Sequence, residues 1–189
     1  MVRFRALRVA FPIALAVIVA GAVPGCSGGG NDPIPTACIT FEAAAVPAGS
    51  TVVARQASGS TCGMLQVELV LTGVTDVQTV EFKVDFDDSV ASYEGLSLAG
   101  SMLASGGANV NVFEDEAPGQ VTINLTRFNS GIDFVPSGTV VRLIFEKATD
   151  ADTATGTLSF SDTQIFDSDA PPQEKGGIQW FGGDLQISR

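Results

Sequence analysis

The side chains that could carry catalysis are scarce in this chain. Its 189 residues include three cysteines and no histidine. Without histidine there is no Ser–His or Cys–His nucleophile pair, no imidazole base and no common zinc site. Aspartate and glutamate are spread along the whole chain, and no two of them stand out as the acid and base of a glycosidase. The sequence therefore indicates a protein that is not an enzyme, and it predicts no cofactor.

The N-terminus has the composition of an export signal. Three arginines among the first eight residues precede an uncharged, mostly apolar run that ends in Val23-Pro24-Gly25-Cys26. The run is too short to span a bilayer comfortably. Its end resembles the lipobox of bacterial lipoproteins, in which the cysteine becomes the acylated N-terminus. Residues 1–25 are predicted to be a lipoprotein signal peptide with Cys26 as the lipidation site. Because Pro24 stands where the lipobox has a small residue, ordinary cleavage after Ala20-Gly21-Ala22 stays open.

A flexible tether and one domain are predicted to follow. Residues 26–37 contain Ser27-Gly-Gly-Gly30 and two prolines, which is typical of a flexible linker. Residues 38–189 are enough for a single domain with one core. Since serine rather than aspartate follows Cys26, we expect a lipid-anchored envelope protein in the outer membrane or at the cell surface. The lipid is its predicted contact with the membrane.

The other two cysteines are predicted to form a disulfide bond. Cys38 and Cys62 each precede a strand-like segment, and the chain has no Cys-x-x-Cys motif. An even pair this close in sequence is typical of a disulfide in an exported protein. The bond would close a loop of about 25 residues and stabilise the fold by roughly 3–4 kcal/mol. We expect it to hold the N-terminal strand and its loop to the rest of the domain.

The chain is strongly acidic. Its formal net charge is −11, and loss of the three N-terminal arginines would leave seven Lys and Arg against 21 Asp and Glu, a net charge of −14. Such a surface repels nucleic acids and anionic headgroups. Nucleic acid is therefore not a predicted partner. Acidity of this kind is also a common means of keeping exported proteins soluble.

Aspartates cluster at several predicted turns, where calcium is a candidate ligand. The clusters are Asp85, Asp87 and Asp88, then Asp150 and Asp152, then Asp162, Asp167 and Asp169. None of them follows the spacing of an EF-hand loop. Aspartate is common in turns because its side chain bonds to nearby backbone amides. No metal site is predicted.

Period-two alternation of apolar and polar residues predicts strands through most of the domain. In Thr79–Phe86 every second residue is Val or Phe, and Leu65–Leu71 and Gln120–Thr126 alternate in the same way. Turns rich in Gly, Pro and Asp separate such segments. Because each strand has one apolar face, the strands must bury these faces against one another. The predicted fold is an all-β, two-sheet antiparallel sandwich of about nine strands, with a short turn of helix allowed within Leu96–Ala104.

Several segments have the pattern of a known module. They are VELVLTGVTDV (67–77), VEFKVDFDDSV (80–90), SGTVVRLIFEKA (137–148), GTLSFSDTQIFDSD (156–169) and GGDLQIS (182–188). On these segments the chain resembles a cohesin domain over roughly residues 38–188. The resemblance implies a jelly-roll β-sandwich, a fold shared with some carbohydrate-binding modules. It also implies binding of the calcium-loaded dockerin modules that enzymes carry in bacterial cellulose-degrading assemblies.

The resemblance also implies a binding face, because cohesins bind through one sheet. The corresponding strands are Thr79–Phe86, Asn109–Phe113, Gln120–Thr126 and Gly156–Ser161. The side chains expected to point outward from them are Glu81, Lys83, Asp85, Asn109, Asn111, Thr122 and Asn124. A face rich in amides and hydroxyls suits hydrogen bonding to a protein or a polysaccharide. A solvated antiparallel sheet that binds nothing has the same composition.

Trp180, the single tryptophan, completes the predicted binding residues. It lies within Gly176–Gly183, where flanking glycines would leave room for an exposed ring that stacks on a sugar. The alternative is a ring that closes one end of the core, as tryptophan is heavily buried on average. The sequence thus supports two functions. The first is an envelope-anchored, non-catalytic, cohesin-like module that binds a dockerin-bearing protein or a polysaccharide. The second is a structural envelope lipoprotein or carbohydrate-binding module without a dockerin partner.

Overall fold

The predicted strands form, and further strands join them. The computed structural model describes residues 36–128 and 137–189, and within these ranges the chain has eleven strands and one 3-10 turn. The turn is Ser105–Gly107. The strands are β1 (Cys38–Ala43), β2 (Thr51–Gln56), β3 (Met64–Thr72), β4 (Thr79–Phe86), β5 (Ala91–Ser97), β6 (Asn109–Ala117), β7 (Gln120–Phe128), β8 (Ser137–Lys147), β9 (Ala154–Phe166), β10 (Gln179–Phe181) and β11 (Gly183–Ser188).

The strands are arranged in two sheets. The larger sheet has the order β1-β11-β9-β4-β7-β6 and is antiparallel throughout. The smaller sheet has the order β10-β2-β3-β8-β5 and is antiparallel except where β10 lies parallel to β2. The predicted all-β, two-sheet sandwich is therefore confirmed.

An apolar core lies between the sheets. The larger sheet contributes Phe82, Ile123 and Leu125, and the smaller sheet contributes Leu69 and Phe145, each at most 1% exposed. Burial of a side chain of this size contributes about 1.5–3 kcal/mol. Because side chains alternate across a strand, the residues between these positions must face outward. A slip of one residue would exchange the two faces, so the core holds the outer face in register.

The described part of the chain has eleven strands, whereas the sequence predicts about nine. The numbers differ because apolar and polar residues do not alternate regularly in some strands. In β2, Val52, Val53 and Ala54 are buried in succession. β5 is interrupted at Gly95, where its register with β8 shifts. β10 has three residues and is defined by its pairing with β2. Period-two counting does not detect strands of these kinds.

The sequence allows a short helical turn within Leu96–Ala104, but the 3-10 turn of the structure lies just after that range. Leu96 and Ser97 are the last residues of β5, and the 3-10 turn begins at Ser105. Gly106 lies within it at a φ of 66°, in the left-handed region that glycine adopts readily. The turn ends at Gly107, and the backbone of Ala108 is extended.

The predicted disulfide bond between Cys38 and Cys62 is confirmed. Cys38 is the first residue of β1 in the larger sheet, and Cys62 lies just before β3 in the smaller sheet. The backbone amide of Ile39 also donates to the carbonyl of Cys62 at 3.1 Å. The bond therefore joins the two sheets at one end of the sandwich.

The predictions for the N-terminus lie outside the described residues. They are the signal peptide at residues 1–25, lipidation of Cys26 and all but the end of the tether at residues 26–37. They stay predictions. Within residues 36–128 and 137–189, no helix has the length and apolar character needed to cross a membrane.

Candidate binding face

The four strands implied to form the binding sheet lie side by side. β9, β4, β7 and β6 are consecutive in the larger sheet. β4 pairs with β7 on one side and β9 on the other, and β6 pairs with β7 at the edge. We call the outward surface of these four strands the β9-β4-β7-β6 face.

Seven of the eight predicted binding residues share this face. The register pairs Glu81 with Asn124, Lys83 with Thr122 and Asp85 with Gln120. Asn111 pairs with Thr126, and Asn109 pairs with Phe128. Directly paired residues point to the same side of a sheet. The intervening residues of β4 and β7 are buried, so the seven side chains project away from the core.

Polar residues on the face bond to one another across the strands. The Asn124 amide donates to the Glu81 carboxylate, and the Thr126 hydroxyl donates to Asn124 Oδ1 at 3.1 Å. The Thr79 hydroxyl donates to the Thr126 hydroxyl oxygen at 3.2 Å. Asn124 therefore already forms hydrogen bonds within the sheet before any partner binds.

Asp85 is the acceptor of a second group of contacts. Gln120 Nε2 donates to Asp85 Oδ1 at 2.5 Å, and the Ser161 hydroxyl donates to Asp85 Oδ2 at 2.6 Å. The hydrogen bonds from Ser161 and Gln120 hold the pKa of the Asp85 carboxyl below its ordinary value, because they stabilise the charged form. Asp85 is thereby fixed between β7 and β9 as an anion.

Lys83 is paired with a residue of a β-bulge. Its Nζ lies 2.6 Å from Asp162 Oδ2, and this hydrogen bond and charge raise the pKa of Lys83. The β4–β9 register shifts beside Asp162, whose φ of 45° lies in the left-handed region. Aspartate tolerates that region better than most residues. The bulge borders a depression of about 340 Å³ that Glu81, Lys83 and Thr122 also line.

Two aromatic residues that were not predicted as binding residues lie on the same face. Phe113 is 55% exposed and Phe128 is 46% exposed; among the described residues, Val46 is the other large exposed hydrophobic side chain. Phe113 pairs with Asn124 and Phe128 with Asn109, so both belong to the β9-β4-β7-β6 face. The signal was present in the sequence, because each phenylalanine falls in the polar phase of its strand. Exposed aromatic side chains of this kind are typical of binding surfaces.

Solved structures of other proteins have a fold similar to that of this chain. No protein-family model matches the chain, and no curated protein matches it. A type II cohesin domain from the cellulosome of Acetivibrio cellulolyticus is 15% identical, with a TM-score of 0.55 over 82% of this chain and 95% of that one. The sixth cohesin of scaffoldin B from the same organism, in complex with a Cel5 dockerin, is 17% identical, with a TM-score of 0.54 over 76% and 96%. The seventh ScaB type I cohesin from Pseudobacteroides cellulosolvens is 14% identical, with a TM-score of 0.54 over 71% and 88%.

The chain has a cohesin-like fold. Trp180, the eighth predicted residue, lies outside the face of this cohesin-like sandwich. It belongs to β10 of the smaller sheet and is half-buried. Its ring centroid lies 5.2 Å from that of Phe82 and 5.4 Å from that of Phe160. The structure thus agrees with the alternative in which the ring packs against the core.

Several aspartates of the predicted clusters have intramolecular partners. Asp87 Oδ1 accepts from the backbone amide and hydroxyl of Ser89, at 3.0 and 2.6 Å. The buried Asp167 accepts from the backbone amide of Gln173 at 2.8 Å and pairs with Lys175 at 3.1 Å. The amide and the lysine hold the pKa of Asp167 below its ordinary value. In the described ranges no three Cys, Asp or Glu side chains converge as a metal site would require.

Proposed function

We propose that the chain is a non-catalytic binding module that recognises a dockerin-type protein through the β9-β4-β7-β6 face. The observation that carries the proposal is the pair of exposed phenylalanines, Phe113 and Phe128, on the same side as the polar rows of a cohesin-like sandwich. One solved relative with this fold is a cohesin in complex with a dockerin. The two phenylalanines lie four register positions apart on β6 and β7, about 13 Å, a spacing that one partner surface can span.

The polar and the aromatic side chains of the face suit different parts of binding to a protein partner. Glu81 and Asn124 already bond to each other, which orders both side chains before a partner binds. Phe113 and Phe128 are exposed, and burying an aromatic ring removes a large apolar area from water. We therefore assign the main affinity to the phenylalanines and the orientation of the partner to the polar rows.

The charge of the face defines the chemistry of the partner. The outward carboxylates are Glu81, Asp85, Asp115 and Asp162, and Lys83 is held by one of them. A partner surface with apolar side chains beside lysine or arginine complements this arrangement. Basic groups on the partner would speed association, and that acceleration would weaken as salt is added.

The test is binding of calcium-loaded dockerin modules from the same genome, measured by calorimetry. Phe113→Ala/Phe128→Ala should weaken binding at least tenfold, since truncating central aromatic anchors costs about 2 kcal/mol or more. Val46→Ala is the matched control, because Val46 is the remaining large exposed hydrophobic side chain in the described ranges. If no dockerin binds, or if the double variant binds as wild type does, the proposed function is wrong.

We further propose that Cys26 anchors the module in the cell envelope. The support is the apolar N-terminal run followed by Val23-Pro24-Gly25-Cys26 and by a Gly-rich tether. Acyl chains contribute about 0.8 kcal/mol per buried CH₂, so a multiply acylated cysteine does not detach readily. Cys26→Ala should move the protein from the membrane fraction to the soluble fraction. An unchanged membrane fraction would contradict lipid anchoring.

A further inference from the structure

A cleft opens at the edge of the sandwich, beside the end of the β9-β4-β7-β6 face to which Gln120 belongs. It lies between the start of β5 and the β6–β7 hairpin and has a volume of about 360 Å³. Phe86 and Tyr93 contribute aromatic rings, and Asp88 and Glu116 contribute carboxylates. We call this the β5–β6 cleft. Its volume lies within the range of small-ligand sites.

The aromatic side of the cleft is held rigidly. The rings of Phe86 and Tyr93 both pack edge-on against Phe145, with centroid distances of 5.4 and 5.6 Å. The Tyr93 hydroxyl donates to Glu114 Oε2 at 2.6 Å, which ties β5 to β6 across the two sheets. Burial and the Glu114 acceptor raise the pKa of Tyr93, so the ring stays a neutral phenol. The two rings are therefore in place before a ligand arrives.

The polar side of the cleft is anionic. Asp88 and Glu116 are exposed, and neither forms an ion pair with a cation of the described residues. Glu116 lines the same cleft as Phe86 and Tyr93, so its charge faces the space beside the aromatic wall. No lysine or arginine is among the described residues that line the cleft.

We propose that the β5–β6 cleft binds an organic cation, an ammonium or guanidinium group on an alkyl chain. The alkyl chain would lie on Phe86 and Tyr93, and the cationic head would lie between Asp88 and Glu116. The rings offer the alkyl chain an apolar surface, and the two carboxylates attract the cationic head. A divalent metal ion fits less well, because one whole wall offers rings in place of oxygen ligands.

The test uses n-butylammonium as the probe, with two comparison ligands. Binding is followed by two-dimensional NMR of the labelled domain. n-Butylammonium should cause saturable shifts at Ala91, Ser92 and Gly119 and contacts from its methylene protons to the Phe86 and Tyr93 rings. A trilysine peptide distinguishes the sources of the cation. If both ligands bind, the cleft accepts free amines as well as lysine side chains; if trilysine alone binds, the cation belongs to a protein.

Two variants and a neutral ligand make the proposal falsifiable. Glu116→Gln should weaken binding about two- to fivefold, the effect of losing one exposed ion pair, and Asp88→Asn/Glu116→Gln should weaken it further. Glu42→Gln is the matched control, because Glu42 lies on β1 at the opposite edge of the larger sheet. Equal shifts from 1-butanol, an unchanged affinity in the double variant, or no saturable shift from either cation would overturn the proposal.

Discussion

The outer faces of the two sheets are built differently. On the larger sheet, polar side chains of neighbouring strands bond directly to one another, as Asp85 does with Gln120 at 2.5 Å. On the smaller sheet, the corresponding cross-strand contact is an ion pair between Glu68 and Arg142, whose nitrogen and oxygen lie 3.7 Å apart. The first contact is a hydrogen bond to a charged acceptor, and the second distance is too long for a hydrogen bond.

The difference concerns how far each face is organised before a partner binds. The half-buried aliphatic residues Val70 and Ile144 lie on the same outer side as Glu68 and Arg142. The β9-β4-β7-β6 face instead has linked polar rows and two exposed aromatic rings. Side chains that are already ordered lose less conformational entropy on binding. We therefore interpret the larger sheet as the recognition surface and the smaller sheet as its support.

The largest expected effect comes from removing the covalent link between the sheets that carry the two faces. Cys38→Ser/Cys62→Ser removes the bond between β1 and the segment before β3. The free energy of unfolding should fall by about 3 kcal/mol, because the unfolded chain regains the freedom of the open loop. Urea denaturation measures this loss. Reduced wild type should match the double variant, and an unchanged midpoint would refute a stabilising role for the bond.

Smaller losses of stability are expected when the carboxylate of each polar contact is removed in turn. Asp85→Ala should lower the free energy of unfolding by about 1–2 kcal/mol, because Gln120 and Ser161 lose a charged acceptor. Glu68→Ala should cost less, about 1 kcal/mol or below, because its 3.7 Å contact with Arg142 is too long for a hydrogen bond. Thermal or urea unfolding of the two variants gives the order. If Glu68→Ala destabilised the fold more than Asp85→Ala, the proposed difference in organisation between the two outer faces would be wrong.

The smallest effect is a dependence of stability on pH. The pKa of Asp85 is lower in the folded protein than in the unfolded chain, so the unfolded chain binds more protons in acid. The stability that Asp85 contributes is present above its unfolded pKa of about 4 and is lost as the pH falls through the folded value. Asp85→Asn should flatten the acid limb of the stability curve. Glu68→Gln is the comparison, and an identical flattening there would show that the effect is not specific to the network.

Much of the face follows from local sequence. Alternation in Thr79–Phe86 and Gln120–Thr126 assigns Glu81, Lys83 and Asn124 to the outward side, and the structure agrees. The same rule places Phe113 and Phe128 outward, because each lies among the polar positions of its strand. The apolar side chain of a phenylalanine suggests burial, whereas its position in the alternation predicts exposure. For Phe113 and Phe128 the structure agrees with the alternation.

The sequence by itself determined the all-β class, the disulfide pair and the side of each alternating strand, because these depend on spacing along the chain. Tertiary structure decided that Asn124 bonds to Glu81 and that the Ser161 hydroxyl meets Asp85, 76 positions away in the chain. It also decided that Trp180 packs against the core, since β10 exists through its pairing with β2. Contacts between strands so distant in sequence depend on sheet order and register, and no local pattern encodes them.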